Sequence, residues 1–213
     1  MTEIGINRRL LSDQVYDLVL TSILDGSRAP GSRVVESEIA RQLGVSQAPV
    51  REAVKRLVHA GLLVSIPRNG SYVTEISPDE MGVSRELRGE IEAIGASIAT
   101  GLVEQSDLAG LRDIVSQMAT AIERDDWAAF RSLDVEFHRT VVGIAGVGIL
   151  SRLWDTLELT LISQRAIGDP AYPGHRGSLV GWHQDLIDVL ARGNPEKAAD
   201  AFRQHARGDR PVE

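Results

Sequence analysis

Residues 36–61 read ESEIARQLGVSQAPVREAVKRLVHAG, and this stretch decides the fold. Two short helical periods flank Gly44. For such helices to cross steeply, the first needs a small residue at the contact and the turn needs a glycine. Ala40 and Gly44, four apart, supply both. Ile39, Leu43, Val45, Val50 and Ala53 are placed to fill the space between the pair. Ser46 stands where an N-cap belongs. The outward side of the second helix carries Gln47, Arg51, Lys55 and Arg56. On its own this spacing also fits an ordinary helical hairpin with a solvated basic face.

The residues around it favour a nucleic-acid reader. Upstream, residues 8–26 have a helical period. Downstream, LVSIPRNGSYVTEI is β-rich and broken by Arg-Asn-Gly. It reads as strands 62–66 and 71–76 around a turn at 67–70. Three helices and a hairpin make a winged helix-turn-helix. The N-terminal end of its second motif helix faces a major groove, and Arg68, Asn69 and Gly70 sit at the wing tip near the backbone. ISPDEM then offers a serine cap, a first-turn proline and acids suited to a helix start. From there only helical periods follow: 78–104, 107–124, 126–145, 148–168, 179–192 and 195–207, with Asp107, Asp126 and Asn194 as caps. The fold class is therefore mainly α, with a winged head over residues 1–76 and an all-helical bundle over 77–213.

The segment PGSRVVESEIARQLGVSQAPVREAVKRLVHAGLLVSIPRNGSYV resembles the winged helix-turn-helix domain of the GntR family of bacterial transcription regulators. The matching residues are Pro30-Gly31, Ala40, Gly44, Val45-Ser46, Pro49-Val50-Arg51-Glu52-Ala53, Gly61-Leu62 and Gly70. The resemblance implies double-stranded operator DNA as partner. It also implies reading by Ser46, Gln47, Arg51, Lys55, Arg56, Arg68, Asn69 and Gly70. Arg51 is the base-reading candidate, with Lys55 and Arg56 on phosphates. Gln47 departs from the family, which usually has arginine there. Arginine prefers guanine and glutamine suits adenine, so the operator is expected to differ at that base step.

Charge agrees with this division. Over 213 residues the net charge is −7, but residues 1–76 carry 9 Lys/Arg against 8 Asp/Glu and the remainder 14 against 22. The acidic bundle would repel DNA, confining binding to the head and making it salt-sensitive. The start lacks the apolar run of a secretion signal and no stretch is long enough to span a membrane, so a cytoplasmic location is expected. Without a single cysteine, any metal must be held by histidines and carboxylates.

Such a set is present in the bundle. In LDVEFHRTVV (133–142), Asp134 and His138 lie one turn apart, on the stripe shared by Trp127, Phe130, Phe137 and Val141. His183 shares a face with Leu179, Leu186 and Ile187. His205 falls in line with Ala198, Ala201 and Phe202. A lone inward histidine is usually a satisfied core residue, and Asp134–His138 could be a single internal ion pair. Convergence of all four points instead to a metal site in a bundle core. Residues 78 to about 207 are similar to the ligand-binding domain of the FadR-type subgroup, called FCD, and these four residues fall on its metal-binding positions. The resemblance implies a divalent ion, zinc first with nickel, manganese or iron as alternatives. It further implies a small carboxylate effector, with Arg88 at the position of a cavity-lining arginine and Arg165 a weaker candidate. Arg88 could equally pair with Glu92, four residues on. Two other roles remain open: a metal that only stabilises the bundle, or a metal-dependent hydrolase using Glu136 or Glu158. Operators are usually read as paired half-sites, so a homodimer is expected.

Overall fold

The computed structural model describes residues 10–163 and 178–207. It divides into two compact units, one reaching to Glu75 and the other beginning at Ile76.

The first unit contains α1 (Leu11–Leu24), β1 (Arg33–Val34), α2 (Glu36–Leu43), α3 (Gln47–His59), β2 (Leu63–Ile66) and β3 (Gly70–Val73). Its core is built by Val15, Val19 and Ile23 of α1 against Val50, Val54 and Leu57 of α3, all buried. Between α2 and α3, Gly44 adopts φ +66, a left-handed cap that glycine takes without strain. Ala40 is buried at the crossing as expected, whereas Leu43 points out and is 39% exposed.

The wing is a three-stranded antiparallel sheet in the order β1-β3-β2 and not a lone hairpin. Arg33 pairs with Tyr72 on one side of β3, and Ser65 with Ser71 on the other. Two residues are too few to show an alternating pattern, so β1 was invisible to periodicity. The expected strand 71–76 also ends sooner, at Val73. At the tip, Arg68 (φ +67) and Gly70 (φ +107) take left-handed conformations that reverse the chain.

The second unit is all helical: α4 (Pro78–Ala99), α5 (Gln105–Glu123), α6 (Trp127–Ile144), α7 (Gly148–Ser163), α8 (Leu179–Ala191) and α9 (Pro195–Arg207). Ser77 and Glu80 form a reciprocal capping box at the start of α4, with Pro78 in the first turn. Asp126 and Asn194 cap α6 and α9 through the amides of Ala129 and Lys197. Asp107 is not the cap of α5. It lies inside the helix and accepts from the backbone N–H of Glu104, so α5 starts earlier than its charge pattern suggested.

Small residues let α4 serve as the central packing rod. A Cβ on Gly95 would come within 3.3 Å of the Val142 backbone on α6. One on Gly89 would meet the backbone of Arg203 on α9 at 3.5 Å. Ala93, Ala96 and Ala99 are fully buried on the same helix. This close approach brings α6 and α9, and the histidines they carry, to the same end of the core formed by Leu111, Met118, Phe137, Ile187, Leu190 and Phe202.

Candidate metal centre and nucleic-acid interface

In the head, Ser46 occupies the N-cap position of α3 with extended backbone (φ −70, ψ 162), but its hydroxyl makes no capping hydrogen bond. The amide three residues on belongs to Pro49, which has no N–H to donate. The expected cap is therefore corrected: its hydroxyl is left outside the helix start. Gln47, Arg51, Lys55 and Arg56 are all exposed on α3, and Arg68, Asn69 and Gly70 are exposed at the wing tip. Two of the arginines already have partners. Arg51 Nε lies 3.3 Å from Glu36 on α2. Arg56 lies 2.6 Å from Asp13 and stacks over Tyr16, 4.4 Å from its ring centroid, both on α1. The Arg51 pair is long and well exposed, so it exchanges readily for a base edge. Arg56 is held by a charge and a ring together, which ties it to α1.

In the second unit, one donor atom from each of Asp134, His138, His183 and His205 lies within 4.8 Å of the others. The residues come from α6, α8 and α9. The His183 and His205 rings are 4.8 Å apart by centroid, and those of His138 and His205 are 5.0 Å apart. His138 and His183 are 1% exposed, while Asp134 and His205 are half-buried, so the cluster opens on the Asp134–His205 side. Donors about 2.1 Å from a common ion stand roughly 3–4 Å apart, close to this spread.

The hydrogen positions favour a cation between them. His183 Nδ1 lies 2.8 Å from the carbonyl of Leu179; a carbonyl only accepts, so Nδ1 carries the hydrogen. In the neutral ring Nε2 then has a lone pair, and it faces Asp134 Oδ1 at 3.1 Å. Two acceptors in contact repel unless a proton or a metal ion lies between them. At His138, Nδ1 stands 3.0 Å from Glu92 Oε2, at ion-pair distance but not aligned as a hydrogen bond, and the buried Nε2, also without a hydrogen bond, stands 3.9 Å from Asp134 Oδ1. Burial, reinforced by the charges of His138 and His183, pushes the His205 imidazole well below its ordinary value, so it is neutral near pH 7 and can donate a lone pair. Burial would raise the Asp134 carboxyl, but the His183 hydrogen bond and the charges of His138, His183 and Arg88 hold it well below the carboxylate range. One carboxylate and three imidazole nitrogens are a donor set that suits a borderline divalent ion.

Behind His138 lies a buried charge network. Glu92 Oε1 accepts from Arg88 Nε at 2.6 Å and from Trp154 Nε1 at 2.8 Å. The Arg88 guanidinium also reaches Glu158 at 2.7 Å. Against the effect of burial, Arg88 keeps Glu92 ionised far below the usual range, and Glu92, Glu158 and Asp134 keep Arg88 charged. Arg88 thus forms the ion pair with Glu92 that its spacing allowed, and Glu158 adds a second.

Two family models match the chain: "Bacterial regulatory proteins, gntR family" over residues 11–73 and "FCD domain" over residues 84–208. It belongs to the GntR family. It is a DNA-binding transcriptional regulator with an FCD domain. It is 30% identical over 199 residues to the HTH-type transcriptional repressor RspR of Escherichia coli (strain K12), covering 92% of this chain and 85% of that one. It is 29% identical over 207 residues to the probable D-xylose utilization operon transcriptional repressor of Paenarthrobacter nicotinovorans, covering 97% and 90%. Among solved structures, E. coli McbR/YncC superposes with a TM-score of 0.81 at 22% identity, covering 93% and 94%, and shares the fold.

Within this regulator, the structure brings Asp134, His138, His183 and His205 together and keeps Glu136 away from them, exposed on α6. Arg165 lies outside the described residues. Trp154 was missed as a site neighbour, and Glu92 was named only as a partner for Arg88, not for His138. Their signal was faint: a carboxylate among the small buried residues of α4, and a tryptophan one turn before Glu158 on α7. No described helix is long and apolar enough to cross a membrane.

Proposed function

We propose that this regulator is a repressor whose operator affinity is set by a small carboxylate bound at a divalent metal held by Asp134, His138, His183 and His205. The observation that carries this reading is the pair of Nε2 atoms on His138 and His183, both turned toward one carboxylate oxygen. Four protein donors leave positions open on a five- or six-coordinate ion. The half-buried Asp134 and His205 mark the side from which an oxygen ligand would reach it. Zinc fits the donor set best, with nickel, manganese and iron as alternatives.

In the head, Arg51 and Gln47 read base edges from the start of α3. Ser46, Lys55, Arg68, Asn69 and Gly70 contact the backbone. Paired half-sites call for a symmetric dimer. The face that supports one is on α4, where Val83, Leu87, Ile94 and Ile98 are large, apolar and exposed at spacings of four, seven and four. Such a stripe packs on a second copy of itself more readily than it stays in water. Ile94→Glu should therefore leave a folded monomer by light scattering.

The functional test is operator binding by fluorescence anisotropy, on a duplex selected from a random library. Metal-loaded protein is titrated with a panel of small mono-, di- and hydroxycarboxylates. At least one acid should change the apparent Kd tenfold or more, and the effect should vanish after chelation. An affinity indifferent to every acid would leave the metal a structural role only.

A further inference from the structure

The geometry points to Glu92 as a positioning residue for the metal centre: its buried carboxylate, anchored by Arg88 and Trp154, keeps the His138 hydrogen on Nδ1 so that Nε2 offers its lone pair to the cluster. This deepens the metal reading above and rests on it.

Glu92 is fully buried, and each of its oxygens has a separate task. Oε1 is fixed by the Arg88 Nε–H at 2.6 Å and the Trp154 Nε1–H at 2.8 Å. Oε2 faces His138 Nδ1 at 3.0 Å. A carboxylate only accepts, so the imidazole hydrogen is drawn to Nδ1 and the ring is held by a group that cannot rotate away. At His183 the Leu179 carbonyl takes the corresponding place through an aligned hydrogen bond at 2.8 Å, whereas the Glu92–His138 contact is an ion-pair distance. The His183 hydrogen is thus assigned by a group outside the cluster, and the acceptor nearest His138 Nδ1 gives that ring the same sense. Arg88 acts on the centre through Glu92. Its Nε and one Nη are engaged by Glu92 and Glu158.

The discriminating variant is Glu92→Gln in the full chain. Its amide oxygen can still accept from Arg88 and Trp154. Its amide nitrogen would then donate to His138 Nδ1 and drive the ring hydrogen to Nε2, toward the cluster. Zinc affinity is measured against a competing chelator, with melting of the metal-free proteins as a control for folding. The expected result is a zinc Kd weakened about 10–100-fold. Wild-type binding of one zinc per chain with an unchanged Kd in Glu92→Gln overturns the positioning role alone. A wild-type chain that takes no zinc overturns the metal reading beneath it. If Glu92→Gln does not fold, the ring-nitrogen resonances of His138 in zinc-loaded wild type decide. A hydrogen on Nδ1 with metal on Nε2 supports the role, and the reverse overturns it.

Discussion

Replacing His183 by leucine separates a metal ligand from an ordinary core histidine. His183 is 1% exposed and packs edge-on against Phe137, with ring centroids 5.0 Å apart. Leucine fills a similar volume there, so little cavity is expected. What is lost is polar: the bond to the Leu179 carbonyl and the contact with Asp134 at 3.1 Å. A neutral hydrogen bond contributes about 1 kcal/mol and a charge-assisted one about 1.5–3 kcal/mol, partly offset by the added apolar burial. Without metal the variant should thus be about 2–3 kcal/mol less stable. In a chain of this size that lowers Tm by roughly 4–12 °C. With metal at about a hundred times its Kd, wild type gains roughly 2.7 kcal/mol and a further rise of roughly 5–11 °C. The variant should gain almost nothing. Differential scanning calorimetry with and without zinc, on both proteins, gives the difference between the two metal shifts. Equal shifts in wild type and His183→Leu would refute the assignment of His183 as a ligand, whatever the metal-free values.

Three further outcomes follow from particular residues. Gln47→Arg should shift base preference at one operator step from adenine toward guanine by roughly 1–3 kcal/mol; a selection experiment returning the same motif for both proteins refutes this. Arg56→Ala should lower stability by about 0.5–1 kcal/mol in urea denaturation, because Arg56 holds Asp13 and Tyr16, while weakening operator binding less than Arg51→Ala does. In metal-free protein, His205 binds a proton in the unfolded chain near its ordinary 6.5 but not in the folded one, where burial holds it well below. The unfolded state therefore takes up more protons as pH falls below about 6.5, and stability is lost by up to about 1.4 kcal/mol per pH unit. Denaturation at pH 7 and pH 5.5 should show this loss, and His205→Gln should flatten it. The depressed carboxyls of Asp134 and Glu92 add their own losses only at lower pH, below the ordinary carboxylate range.

How much of this was legible in the sequence depends on whether the signal was local. Helix spans followed from the period of their apolar faces; α9 matches its expected limits because Pro195 marks its start chemically, and α2 ends where Gly44 stands. The helix expected to reach residue 104 stops at Ala99, where the chain turns through Gly101 and the N–H of Gly101 bonds back to Ile98. Strand β1 escaped because its evidence is its partner, not its own two residues. In the same way, the four cluster residues could be picked out by face and spacing, since each shares a stripe with buried apolar neighbours. The network behind them could not. Trp154 and Glu92 are 62 residues apart, and nothing along the chain shows that an indole N–H meets that carboxylate. Arg88 illustrates the boundary: its pairing with Glu92 was the reading that spacing allowed, beside the cavity-lining place that the resemblance implied, and the second partner, Glu158, came only from tertiary packing.

The most direct measurement is native mass spectrometry of the intact chain after exposure to zinc and dialysis, alongside His183→Leu and Asp134→Asn. A histidine–aspartate metal centre predicts one retained divalent ion per wild-type chain and none in either variant. A folded wild-type chain that emerges metal-free, or variants that keep the ion as firmly as wild type, would contradict it.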